Sequence, residues 1–129
     1  MAFTSLEGTV IHKGPYPLLG FTASGTICGG QAVYSNSDDY VIAGAGDKAG
    51  LGISLYDSTN GEGVSIVGPG NIAYCRISSA GGTLTTTHGL WVTCGVEGYC
   101  KTCTSGTNAF GKIVDLPTTQ GGIGKILIG

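Results

Sequence analysis

Charge is scarce in this chain. Only 11% of its 129 residues are Asp, Glu, Lys or Arg, less than half the ~25% of an ordinary globular protein. Six Lys and Arg stand against eight Asp and Glu. That is too few to build a basic face, so neither nucleic acid nor an anionic membrane is expected as a partner. Long apolar runs are missing too. The longest are a few residues, far short of the ~20 of a membrane-spanning helix. The opening Met1-Ala2-Phe3-Thr4-Ser5-Leu6-Glu7 has neither the basic start nor the apolar stretch of a secretion signal. A soluble product made in a cytosol is the expectation. Proline is limited to 4 residues and the glycines keep no three-residue spacing, which excludes collagen.

Glycine is what the chain has in excess, 25 of 129 residues, against ~7% on average. An apolar content of 41% with a net charge of −2 argues against disorder, and the length fits one domain. Each interior glycine costs a helix ~1 kcal/mol relative to Ala, and no stretch is free of glycine long enough for a convincing helix. The longest free window, residues 31–43, holds the turn-rich Ser35-Asn36-Ser37-Asp38-Asp39 between Ala32-Val33-Tyr34 and Tyr40-Val41-Ile42, which reads as strand, turn, strand. Further strands are predicted at Thr9-Val10-Ile11, Ile53-Ser54-Leu55-Tyr56, Val64-Ser65-Ile66-Val67, Leu90-Trp91-Val92-Thr93-Cys94, Lys112-Ile113-Val114 and Ile126-Leu127-Ile128. In Ile72-Ala73-Tyr74-Cys75-Arg76-Ile77, alternation puts Ile72, Tyr74 and Arg76 on one side and Ala73, Cys75 and Ile77 on the other. About ten short strands with turn chemistry between them predict an all-β fold, a small antiparallel barrel or sandwich.

The chain also matches itself at an offset of 59: Gly30 with Gly89, Val33 with Val92, Asp38 with Glu97, Tyr40 with Tyr99, Gly52 with Gly111, Gly63 with Gly122. Slightly out of register, Gly25-Thr26-Ile27 resembles Gly82-Thr83-Leu84, and Ser65-Ile66-Val67 resembles the apolar core of Lys125-Ile126-Leu127-Ile128. Two similar halves, about 25–70 and 82–129, then build one β domain over 22–129, sharing a single barrel or sandwich. Residues 1–21 differ. They carry Phe3, Leu6, Val10, Ile11, Tyr16, Leu18 and Leu19 around Gly14-Pro15-Tyr16-Pro17, and the residue before each proline avoids the helical region. An extended N-terminal arm is expected. It either contacts a partner by strand addition or packs as a first strand on its own barrel.

Reactive constellations are weak. Cys100-Lys101-Thr102-Cys103 has the spacing of a metal knuckle, with Cys94 and either His88 or His12 to complete four ligands, but a structural zinc site usually has two close pairs. In the repeat Cys100 takes the place of Val41 and Cys103 that of Gly44, which favours reduced, packed thiols, Cys28 and Cys75 included. His12 and His88 are isolated, no Gly-x-Ser-x-Gly elbow occurs, and no carboxylates are spaced for calcium. Asp38, Asp39, Asp57 and Glu62 sit in or beside turns. Gly44-Ala45-Gly46-Asp47-Lys48-Ala49-Gly50 lacks the Lys-Ser/Thr ending of a phosphate loop. No catalytic residue, metal or cofactor is expected.

Gly30-Gln31-Ala32-Val33-Tyr34, Gly50-Leu51-Gly52-Ile53-Ser54 and Gly61-Glu62-Gly63-Val64-Ser65-Ile66-Val67-Gly68 follow one another in an order that is met again at Gly89-Leu90-Trp91-Val92, Phe110-Gly111-Lys112-Ile113 and Gly122-Ile123-Gly124-Lys125-Ile126-Leu127-Ile128. Over Gly25 to Gly129 this layout resembles the capsid decoration (cement, head-stabilising) proteins of tailed bacteriophages. Lys112 where Ile53 stands is a departure. The resemblance implies a β-rich homo-oligomer, commonly a trimer. It would sit on the outer surface of the virion capsid after assembly in the host cytoplasm, clamping neighbouring major capsid protein subunits. Phe3, Leu6, Val10, Ile11, Tyr16, Leu18 and Leu19 are the candidate capsid or subunit contacts. Two other functions fit the composition: a tail or fibre β-module of a virion, and a small carbohydrate-binding barrel with Trp91 and Tyr99 or Tyr40 as a stacking platform.

Overall fold

A computed structural model describes residues 3–14, 18–46, 48–79, 91–103 and 108–129. Their strands are β1 (Ile11–Lys13), β2 (Leu18–Ala23), β3 (Ala32–Ser37), β4 (Tyr40–Ala43), β5 (Gly52–Ser54), β6 (Gly63–Val67), β7 (Ile72–Ser79), β8 (Trp91–Cys94), β9 (Cys100–Cys103), β10 (Gly111–Asp115) and β11 (Gly122–Ile128). A 3-10 turn, Val96–Gly98, joins β8 to β9. The all-β class built from two similar halves is therefore borne out. Each half, however, closes a five-stranded barrel of its own. The first runs β2-β4-β3-β5-β6, and the second runs β7-β9-β8-β10-β11, with β1 added at the β7 edge.

The pairing is antiparallel, as expected, at all but one junction of each barrel, and parity explains the exception. A closed ring with an odd number of strands cannot alternate direction throughout, so one pair must run parallel. In the first barrel that pair is β2–β4 and in the second β7–β9. The duplication is exact in topology. Val33 pairs with Gly52 and Val92 with Gly111, both 59 residues on. The last strand is shifted by one, as Ile53 faces Val67 and Lys112 faces Leu127. Lys112 keeps the position of Ile53 despite the change of residue. The Gly25-Thr26-Ile27 match cannot be followed, because its second copy lies outside the described residues.

Glycine has a geometric reason at Gly52 and Gly111. A Cβ on Gly52 would run into the Val67 carbonyl oxygen, and one on Gly111 would come within 2.7 Å of the Leu127 carbonyl oxygen. The repeated glycine is thus where β5 and β10 cross closely over the strand next door. The turn between β3 and β4 holds Asp39 at φ 58°, and its counterpart holds Glu97 at φ 53° and Gly98 at φ 78°, the left-handed region that tight turns use.

Two apolar clusters result. One fills the first barrel with Ala23, Ile27, Val33, Val41, Val64 and Ile66. The other fills the second with Ala73, Cys75, Ile77, Val92, Ile126 and Ile128, and extends over the outside of the first barrel to take in Ala32, Ile53 and Val67. Burying each Val or Ile side chain is worth ~1.5–3 kcal/mol, so this shared cluster fixes the barrels to one another. Residues 3–14 join it. Leu6 and Val10 are buried there, the Leu6 amide donates to the Gly29 carbonyl (2.7 Å), and the Tyr74 amide donates to the Val10 carbonyl (2.7 Å). The N-terminal segment is extended but lies on its own barrels, and β2 is already part of the first barrel from Leu18 onward.

Candidate interaction surface

β7, β11, β10 and β8 lie side by side and turn one face outward. Across it runs a row of register partners, Ile72, Leu127, Lys112 and Trp91. The Lys112 ammonium lies 4.7 Å from the centre of the Trp91 ring, so the lysine stem covers indole while its charge faces the ring's electron-rich surface. The next row carries Lys125 opposite Tyr74, with the ammonium 5.8 Å from that ring. Tyr74 is also held by His12, whose Nδ1 is 3.1 Å from the phenol oxygen. Leu127, Val114 and Ile123 complete this face with 39%, 51% and 50% of their surface exposed. The exposed aromatic and aliphatic groups are of the kind enriched at protein contact surfaces, whereas the two lysines are of a kind depleted there.

The N-terminal residues form a second patch. The Ser5 hydroxyl donates to Asp57 Oδ1 (2.5 Å), the Gly29 amide to the same oxygen (2.8 Å), and the Asp57 amide to Glu7 (3.1 Å). The Ser5 and Gly29 hydrogen bonds hold the Asp57 carboxyl below its ordinary value of 3.8. Arg76 Nε donates to the Thr4 carbonyl (2.8 Å), and Phe3 packs edge-on against Tyr99 at 5.1 Å. Of the proposed contact residues, Leu6 and Val10 are core, Phe3 and Ile11 are half-buried, and Leu18 and Leu19 are each 42% exposed on β2. Tyr16 lies outside the described residues. Trp91 and Tyr99 are each already engaged, one by Lys112 and the other by Phe3, and β2, with its exposed leucines, was read only as part of the arm.

Three of the five cysteines follow the packing expected from the sequence, while Cys28 and Cys103 are half-buried. Cys75, Cys94 and Cys100 are buried, and Cys94 and Cys100 are register partners on β8 and β9. Burial, reinforced by the neighbouring Cys100, pushes the Cys94 thiol up to about 12. Burial and a hydrogen bond with Cys75 push Cys100 well above the ordinary thiol range. Protonated thiols are poor nucleophiles. Among the described residues no three His, Cys, Asp or Glu are grouped to hold a metal. His88 lies outside them.

No protein-family model matches the chain, and no curated protein matches it in sequence. Solved structures do match in fold. One is the N base of the head fibre gp8.5 of bacteriophage phi29, 17% identical, with a TM-score of 0.61 over 87% of this chain and 92% of that one. At that identity the likeness establishes the shared fold. It runs through nearly the whole of both chains, so it covers the two-barrel arrangement and not one barrel alone.

Proposed function

We propose that this protein is a structural component of a phage virion, a non-enzymatic module that docks on the outer surface of the head and holds neighbouring major capsid protein subunits together. The observation that carries this is the likeness over most of both chains to the base of a phage head fibre. The support from sequence is independent: a glycine-spaced duplication resembling decoration proteins, and little charge. The working form is a homo-oligomer, a trimer as that resemblance implies. A capsid shell presents many copies of one surface, so even a weak contact per subunit adds up through multivalency.

The exposed Leu18 and Leu19 on β2 are the capsid contacts this reading retains from the N-terminal region, together with Phe3 and Ile11. Deleting the region would remove Leu6 and Val10 from the core, so point changes are the cleaner probe. Leu18→Glu with Leu19→Glu should leave the barrels folded and lower binding to expanded, undecorated heads at least tenfold in co-sedimentation. Unchanged binding by the folded variant would remove β2 from the contact.

The fold likeness also favours a second reading, in which the two barrels are the base that roots a fibre on the head. Imaging of virions separates them: decoration gives low knobs, whereas a fibre base gives a shaft rising from the same positions.

A further inference from the structure

The two halves bury equivalent rows differently. In the first barrel the row Ala32, Ile53, Val67 is fully buried. It belongs to the shared cluster that also holds Leu6, Val10, Cys94, Phe110 and Ile128. The turn Val96–Gly98 of the second half clamps its end. Gln31 Nε2 donates to the Glu97 carbonyl (2.8 Å), and the Gly98 amide donates to the Gly44 carbonyl (2.9 Å). In the second barrel the same row is Trp91, Lys112, Leu127, and it faces outward. The chain therefore contains one finished copy of a contact and one unfinished copy.

The missing half of the unfinished contact is present elsewhere on the molecule. The counterpart of the clamping turn in the first half is the turn at Asp38 and Asp39, which has the same left-handed backbone and is exposed, with Tyr40 beside it. Charge agrees with this pairing. Residues 18–70 carry Asp38, Asp39, Asp47, Asp57 and Glu62 against Lys48, whereas residues 71–129 carry Arg76, Lys101, Lys112 and Lys125 against Glu97 and Asp115. The first half is net negative and the second net positive. Contact between unlike halves is favoured and contact between like halves is opposed.

We infer that the Trp91–Lys112–Leu127 face receives the first half of a second copy of this chain, head to tail, with that copy's Asp38–Tyr40 turn repeating what the Glu97 turn does inside one chain. Lys112 in place of buried Ile53 suits a surface that must also stand in water before assembly. A contact between two different faces propagates, and it closes into a ring when the rotation permits. The inference specifies the self-contact of the oligomer proposed above.

Complementation tests it with the full chain in sedimentation velocity. The unaltered protein should form a discrete oligomer. Leu127→Lys spoils the receiving face, and Asp38→Lys with Asp39→Asn, which keeps a residue type that tolerates the left-handed backbone, spoils the inserted turn. All are outward positions, so wild-type circular dichroism and melting should persist. Each variant alone should run at the 12.9 kDa chain mass. An equimolar mixture should form a dimer and stop there, because it offers one intact junction per pair. Monomeric unaltered protein, assembly by Leu127→Lys alone, or a mixture that stays monomeric overturns the inference. Head binding is scored separately. A monomer that binds heads removes the ring and keeps the docking; an oligomer that ignores heads does the reverse.

Discussion

Single residues in this chain are chosen more by space than by reactivity. Cys100 occupies the position of Val41 inside a barrel, and both are fully buried. Cys100→Val should therefore cost less than about 1.5 kcal/mol, the range of a volume-conserving swap. A denaturant titration checks this, and a loss of several kcal/mol or of a spectroscopically visible metal would show that the thiol does more than pack. Glycine separates into two kinds. Gly52→Ala forces a methyl against the Val67 carbonyl and should cost ~1–3 kcal/mol, as overpacking does. Gly63→Ala meets open space and should be near neutral by the same titration. The sequence showed the Gly52–Gly111 match but not its cause, since a close crossing of strands is a property of the folded pair and not of either segment.

At the scale of elements, alternation was the reliable signal. Ala73, Cys75 and Ile77 are buried and Ile72, Tyr74 and Arg76 are half-buried, as period two requires. β2 and β9 were harder to see. Leu18–Ala23 follows a proline-rich stretch that reads as an arm, and Cys100–Cys103 has the spacing of a metal knuckle, so local cues competed with the repeat that makes both of them strands. The packing of residues 3–14 was open in the sequence for the same reason: an apolar extended segment suits its own barrel as well as a partner. Its attachment has a pH signature. Asp57 has a lowered carboxyl pKa in the folded chain, so its contribution is present above the unfolded value near pH 4 and fades as pH falls through the folded one. NMR titration should place that carboxyl below 3.8. Asp57→Ala should speed hydrogen exchange at the Leu6 and Gly29 amides, and unchanged exchange there would mean that the carboxylate does not hold the segment.

On the scale of the whole molecule, the duplication and the barrel class were legible, and the separate closure of each half was not. Two halves of this size suggest one shared barrel or sandwich. The parallel closure β2–β4 and β7–β9 instead lets each half shut on itself, and the outer face of the first barrel becomes an internal interface. That asymmetry leaves the second barrel with the exposed Trp91–Lys112–Leu127 row and gives the molecule a surface suited to proteins. Docking to a shell is the central property of the proposed function. Purified chain mixed with expanded, undecorated phage heads and imaged by electron cryomicroscopy should show two-barrel density at regularly repeated positions on the outer surface. Bare shells at saturating protein would contradict it.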